Sequence, residues 1–327
     1  MEISRRSFLT GAAAATAGCA TVPAESSATH DENLAVLLSD IHIGGKASDP
    51  NYQMRKFIRT VDEILAMRPL PANAVVFGDI AFLFGRKADY EVSAPQFERL
   101  RDAGIGIVFG LGNHDHRKAF FEQYPNEADK SLVPGYAVFE LKMPDVDLLM
   151  LDSLWEDRSK LEAYNPVPGM LEKPVWEFLA KDLPARTRPV LLCSHHNHKE
   201  LRYSGDLGAD RKDGPDAKWT MLSSIIKDAP AVKGLIHGHN HRWHATFMQF
   251  GYSGPEVNRV VRSICLPSTG HWGDIGYALL RTAPGRAVVE LKEGDFYFPS
   301  PVEPEKRPPQ WDATVADHQG VRCTFAW

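Results

Sequence analysis

The sequence predicts an α/β fold with helices packed outside its sheets. Three observations carry that prediction. Short, continuous apolar runs recur along the chain, as strands do when both of their faces are covered. Segments of helical period lie between these runs, and β–α–β alternation packs helices against sheets. From about Trp243 the chain passes into strand-like runs joined by short turns, without helices between them.

Taken in order, "LAVLLSDIH" is a strand ending in Asp40 and His42. "NYQMRKFIRTVDEILAMRP" places Phe57, Ile58, Val61, Ile64 and Leu65 on one helical stripe and stops at Pro69. "NAVVFGD" is a strand ending in Asp79. "SAPQFERLRDAG" reads as a helix with Ser93 as its N-cap and Gly104 as its stop. "IGIVFGLGNHDH" runs into Asn113, His114 and Asp115, and "DLLMLDS" into Asp152, read as structural. "KPVWEFLAKDLP" and "PDAKWTMLSSIIKD" are helices on either side of the strand "RPVLLCSHHNH", which ends in His195. "VKGLIHGHNH" ends in His239 and His241. "HATFMQF", "VRSICLPS", "GYALLRT" and "RAVVELKEGDFYF" follow as strands, His244 opening the first of them. Residues 203–218 form a polar, glycine-rich loop. Its Arg211, Lys212 and Lys218 either touch substrate or are simply solvated.

The chain divides into a leader, residues 1–28, one domain, residues 29–298, and a proline-rich C-terminal tail, residues 299–327. Its 327 residues are 43% hydrophobic and 24% charged, as in soluble globular proteins. The formal net charge is −5 and no Lys/Arg-rich block occurs, which argues against a nucleic-acid polymer as partner. In the leader, "SRRSFL" followed by a small-residue apolar run reads as a twin-arginine export signal. The run is too short for an ordinary membrane span. Cleavage is open between Val22-Pro23-Ala24 and a lipoprotein-like box ending at Cys19. The expected location is periplasmic or otherwise extracytoplasmic, with membrane attachment only if Cys19 is lipidated. The remaining Cys193, Cys265 and Cys323 are an odd number and no disulfide framework.

The chemistry gathers at strand ends, where open α/β sheets place their sites. The clusters read D-x-H, G-D, G-N-H-D, H-H and G-H-x-H. Each alone says little. All of them, each at the end of an apolar run, are hard to explain by packing. Asp, His and Asn make a mixed oxygen–nitrogen donor set suited to Mn, Fe, Zn or Co rather than Ca, and no cysteine pattern suggests a structural zinc. In extended chain, residues i and i+2 project to one side. Asp40 with His42, and His239 with His241, would thus each aim two ligands at one cavity. A carboxylate such as Asp79 can bridge two cations, and cations about 3.5–4 Å apart can activate one water and clamp an in-line displacement.

The segments "SDIHIG", "FGD", "GNHDH", "SHH" and "HGHNH" resemble the five motifs of the calcineurin-like metallophosphoesterase superfamily, over roughly Leu34 to His241. The resemblance implies a four-layer α/β/β/α sandwich of two mixed sheets with helices outside. It places a dinuclear metal site at the strand C-terminal ends. It implies that Asp40, His42, Asp79 and His241 hold one ion and Asp79, Asn113, His195 and His239 the other. The two ions are divalent or of mixed valence, drawn from Mn, Fe or Zn, with Asp79 as bridge. His195 matches the family ligand better than His196, because it comes first after the strand. A hydroxide bridging the ions would attack phosphorus, His114 would assist the leaving group, and Asp115 would orient His114.

Two departures matter. "GDIAFLFGRK" lacks the Asp-Arg pair of the protein Ser/Thr phosphatases, and "HHNH" stands where many small phosphodiesterases have His-His-Pro. His198 is therefore either a substrate contact or a hydrogen-bonded support, His244 and His271 either line the cleft or brace it, and His237 supports the ligands or the fold. The expected activity is hydrolysis of small phosphodiesters, cyclic-nucleotide-like or glycerophosphodiester-like. The alternatives are a phosphomonoesterase acting on nucleotides or sugar phosphates, and a non-catalytic metal-binding scaffold on the same fold.

Overall fold

The apolar runs form the strands of two six-stranded mixed sheets. In a computed structural model the chain is described over residues 29–46, 49–50, 52–156, 165–203, 220–250, 259–271, 273–293 and 322–327. The leader with Cys19, residues 204–218 of the polar loop and residues 299–321 of the tail lie outside the described residues. The first sheet has the order Arg322–Ala326, Arg286–Glu293, Gly276–Ala283, His30–Leu38, Leu70–Phe77, Gly106–Gly110. Its last three strands run parallel, and the others join antiparallel. The second has the order His244–Phe250, Arg259–Cys265, Val232–His237, Val190–Ser194, Asp147–Leu151, Phe139–Lys142. Its four central strands are parallel and both edges antiparallel.

Side-chain alternation makes the four layers. Leu148 and Met150 face the core between the sheets, while Leu149 and Leu151 face a second core under the helix Lys173–Ala185. Leu191 and Cys193 divide from Val190 and Leu192 in the same way. Such strands are apolar on both faces because both are covered. The helices Tyr52–Ala66 and Lys87–Asp102 pack against Leu70–Phe77 and Gly106–Gly110. Phe57, Val61 and Ile64 of the expected stripe are fully buried, and Ile58 and Leu65 pack at its edge. Full burial of a side chain of this size contributes about 1.5–3 kcal/mol.

Three elements depart from the sequence reading. The second helix begins at Lys87, ahead of Ser93, with Arg86 extended and no side-chain cap. Ser93 is buried inside the helix, donating from its Oγ to the Tyr90 carbonyl at 3.0 Å. Burial of Tyr90, Phe97 and Leu100, with Phe97 against Phe57 and Phe109, holds this helix where no cap does. Among its described residues, from Thr220 on, "PDAKWTMLSSIIKD" gives the short helix Ser223–Lys227, preceded by Thr220–Met221, which pairs as a strand with Arg202–Tyr203. Residues 322–326, read as part of a tail, pair with Arg286–Glu290 and form the edge of the first sheet. There Phe325 packs against Gly234 of the second sheet.

Candidate metal centre

Strands that run parallel at the middle of both sheets bring their C-terminal ends to one place, and the polar clusters follow directly. The segment after Leu38 lies along the segment after Phe77: Asp40, His42 and Ile43 donate backbone N–H to the carbonyls of Gly78, Asp79 and Ile80 at 3.2, 2.8 and 2.7 Å. From the second sheet, Gly238 donates to the His195 carbonyl at 3.0 Å.

The i, i+2 pairs do not sit on extended chain. Asp40 (φ 53°), His42 (53°), Asp79 (49°), His239 (71°) and His241 (51°) are left-handed, and they are the only non-glycine residues with positive φ among the described residues. Each such residue costs on the order of 1–2 kcal/mol. Convergence is thus produced by left-handed turns beyond the strands rather than by strand alternation, and the strain collects on the predicted ligands.

Two groups of donor atoms result. Asp40, His42, Asp79 and His241 form one, and His195, His196 and His239 another, the donor atoms within each lying within 4.8 Å of one another. His239 and His241 thus fall in different groups. Asp79 Oδ2 lies 3.6 Å from His42 Nε2 and 3.2 Å from His195 Nε2, so its carboxylate stands between the two. Asn113 Oδ1 and His239 Nδ1 reach His195 Nε2 at 3.3 and 3.2 Å. Asp40 Oδ1 is 3.1 Å from His241 Nε2.

Backbone carbonyls fix which imidazole nitrogens face the centre. His42 donates from Nδ1 to the Phe82 carbonyl at 3.2 Å, and His195 from Nδ1 to the Phe77 carbonyl at 2.8 Å. Each Nε2 is left to the site, as in metal-binding histidines. These carbonyls leave no trace in the sequence, so residue patterns do not reveal them. Glycine is required twice: a Cβ on Gly112 would stand against Asp79 Oδ1 and His195 Nε2, and one on Gly238 against Ser39 Oγ and Asp40 Oδ2.

The charges fit a cation. Burial would raise both carboxyls, but His241 holds Asp40, and His195 holds Asp79, below the usual carboxylate range. Burial lowers His42 to about 3 and His239 to about 4. Burial would lower His195 too, but Asp79 raises it to about 9. The cluster therefore presents two buried carboxylates and, on His42 and His239, neutral rings with nitrogen lone pairs. Asp79 draws positive charge onto His195 as it would draw a cation. Carboxylates with imidazoles are the donor set of a borderline divalent metal.

His114 stands beside this group. Its backbone N–H donates to Asp79 Oδ1 at 2.8 Å, its Nδ1 donates to the Phe82 carbonyl at 3.0 Å, and its Nε2 lies 3.9 Å from Asp79 Oδ2. Asp115, expected to orient His114, does something else. Its carboxylate accepts the N–H groups of Ile80, Ala81 and Gly112 and the hydroxyl of Tyr90. It ties the Asp79 turn to the Asn113 turn, and Phe82 holds His114 in its place. Asp152 is structural: it binds the buried Arg117 through two hydrogen bonds, at 2.7 and 2.8 Å.

The remaining histidines divide. His198 is buried, with Nε2 on Ser194 Oγ at 3.3 Å and its ring near His237, so it supports the strand end. His244 is exposed at the start of its strand. His271 lies against the rings of His42 and His241, with centroids at 4.5 and 5.6 Å, and Gln53 donates to its Nδ1 at 3.2 Å.

Residues 35–243 match the sequence profile of the calcineurin-like phosphoesterase family. The chain belongs to that family. Its activity class is accordingly that of a metal-dependent phosphoesterase, and the Asp/His cluster is the family member's site for divalent metal. Residues 2–22 match the twin-arginine translocation signal sequence, so this phosphoesterase carries an export signal of that route. Among solved structures, a dimetal phosphatase from Danio rerio superposes with a TM-score of 0.54 at 14% identity, over 80% of this chain and 96% of its own. A structure of PhoD superposes with a TM-score of 0.51 at 10% identity, over 79% of this chain and 65% of its own. At such identities the likeness is one of fold. No curated protein matches the chain in sequence.

Proposed function

We propose that this phosphoesterase acts outside the cytoplasm, in the periplasm, on small phosphodiesters, holding two divalent or mixed-valence ions. The observation that carries this reading is the position of Asp79, whose Oδ2 faces both His42 and His195. Asp40, His42, Asp79 and His241 would hold one ion, and Asp79, Asn113, His195 and His239 the other. Bound ions supply Lewis acidity and a water whose pKa falls to about 7.

The chain's own groups do the rest. The Phe82 carbonyl accepts a hydrogen bond from His114 Nδ1–H, so Nε2 is the nitrogen turned to the site. As an imidazolium, with a second hydrogen on Nε2, His114 would give that proton to the departing oxygen, which would otherwise leave as an alkoxide, and return to the neutral ring with its hydrogen on Nδ1. Asp115 keeps His114 in register by fixing both turns.

The preference for diesters rests on charge. A guanidinium pairs bidentately with phosphate oxygens, and "GDIAFLFGRK" lacks the Asp-Arg pair that would supply one beside Asp79. The site wall is imidazole instead: burial lowers His196 and His271, favouring their neutral forms. Single neutral hydrogen bonds suit a monoanionic diester. The test compares bis-p-nitrophenyl phosphate with p-nitrophenyl phosphate in Mn²⁺. A higher kcat/KM for the diester supports the reading, and a strong monoester preference overturns it.

A further inference from the structure

His196 follows the strand Val190–Ser194, and Ser153 follows the neighbouring parallel strand Asp147–Leu151, with Leu151 opposite Ser194. The register brings the two side chains together. Ser153 Oγ lies 2.8 Å from His196 Nδ1 and accepts the His196 backbone N–H at 3.3 Å. A backbone N–H can only donate. Donation of the Ser153 hydroxyl to His196 Nδ1, its one acceptor among these contacts, gives a neutral ring with its hydrogen on Nε2. A protonated ring carries a hydrogen there as well.

That Nε2 is buried without a hydrogen-bond partner. The Val167 backbone favours a proton on the ring, and no group reaches Nε2 in hydrogen-bond geometry. One nitrogen each of His195, His196 and His239 lies within 4.8 Å of the others, and with Nδ1 taken by Ser153, Nε2 is the one His196 has for the site. Gly169 keeps the ring there, since a Cβ on that residue would meet His196 Cβ, Cγ and Nδ1. A nitrogen bearing hydrogen has no lone pair for a metal. A buried donor left unmade is costly, and beside a cation cluster the partner it suits is an anion's oxygen.

We propose that His196 binds substrate directly, its Nε2–H donating to a non-bridging oxygen of the phosphoryl group. Within the phosphoesterase reading, on which this rests, His196 is a catalytic residue and not a metal ligand.

The test uses the full mature chain with Mn²⁺, and inorganic phosphate as the probe. Metal content and phosphate affinity are measured for wild type, His196→Phe and His196→Gln. The expected result is unchanged metal content in all three and phosphate binding at least ~10-fold weaker in His196→Phe, the loss of one hydrogen bond to a charged group. His196→Gln, whose amide N–H reaches the same place, recovers most of that loss. A metal equivalent lost in His196→Phe, or phosphate bound as tightly as by wild type, overturns the proposal. A wild type that binds no divalent ion overturns the parent reading, and this one with it. Because a buried substitution can prevent folding, the tautomer is also read on wild type by long-range ¹H–¹⁵N correlation. A hydrogen on Nε2 is expected, and a neutral ring protonated only at Nδ1 contradicts the assignment.

Discussion

The Nε2 atoms of His42 and His241 stand 3.2 Å apart, in residues 199 positions apart in the chain. His42 donates its Nδ1–H to the Phe82 carbonyl, and burial disfavours a second proton. The two nitrogens therefore face each other across a place where a cation would share both. Ligand that binds only the folded state stabilises it, by about 2.7 kcal/mol at a hundred times its dissociation constant. Adding Mn²⁺ to chelated protein should raise Tm, and His42→Ala should remove most of that rise. Scanning calorimetry checks it; an equal rise in the variant would exclude His42 as a ligand.

Gly112 has no room for a methyl group, because its Cβ would stand against Asp79 Oδ1 and His195 Nε2. Gly112→Ala should fold, since the clash is with side chains at the site, and lose hydrolytic activity by about 100-fold or more, because the methyl group would displace Asp79 and His195 from where they stand. Steady-state kinetics and circular dichroism together decide it. A folded variant of normal activity would show that Asp79 and His195 are not needed where they stand.

Arg117 is the centre of a buried charge network. It binds Asp152 at 2.7 and 2.8 Å and Glu156 at 2.9 Å, and lies over the Tyr136 ring. Removing one member leaves buried carboxylates uncompensated, at a cost of about 3–5 kcal/mol. Arg117→Met should lower unfolding stability by that order in urea titrations. A change under about 1 kcal/mol would place the network among pairs of surface type.

Lys56 gives a pH signature. It is buried on the helix Tyr52–Ala66, donates to the His271 carbonyl at 3.2 Å, and is lowered by burial to about 7. An unfolded lysine keeps its proton to about 10.4. Between these values the unfolded chain binds more protons, so stability rises with pH. Below pH 7 the full cost of a buried charge is present. Lys56→Met should therefore stabilise more at pH 6 than at pH 9.5, by at most about 4 kcal/mol. Equal effects at both pH values would mean an ordinary lysine.

Much of this was legible in residues and some was not. The runs "LAVLLS", "NAVVFGD" and "VKGLIHGHNH" announced buried strands and polar ends, because burial on both faces leaves a continuous apolar signature. The left-handed turns at Asp40, His42, Asp79, His239 and His241 were not legible, since φ is set by the packing of one turn on another. Asp115 read as a partner of His114 because it follows it in sequence. Its oxygens are instead claimed by backbone N–H groups, which are the same in every residue. Ser93 looked like a cap only because the helix start at Lys87 has none. The strand Arg322–Ala326 was hidden behind a proline-rich stretch that gives no clue to what it rejoins.

The central claim is that Asp79 joins two metal positions in one phosphoesterase site. Its most direct test is metal content per chain, by mass spectrometry, for wild type and Asp79→Asn purified from an exporting host, beside Mn²⁺-dependent hydrolysis of bis-p-nitrophenyl phosphate. The account predicts two ions in wild type, fewer in the variant, and activity lost with them. A wild type that hydrolyses the ester without metal, unaffected by chelation, would contradict it.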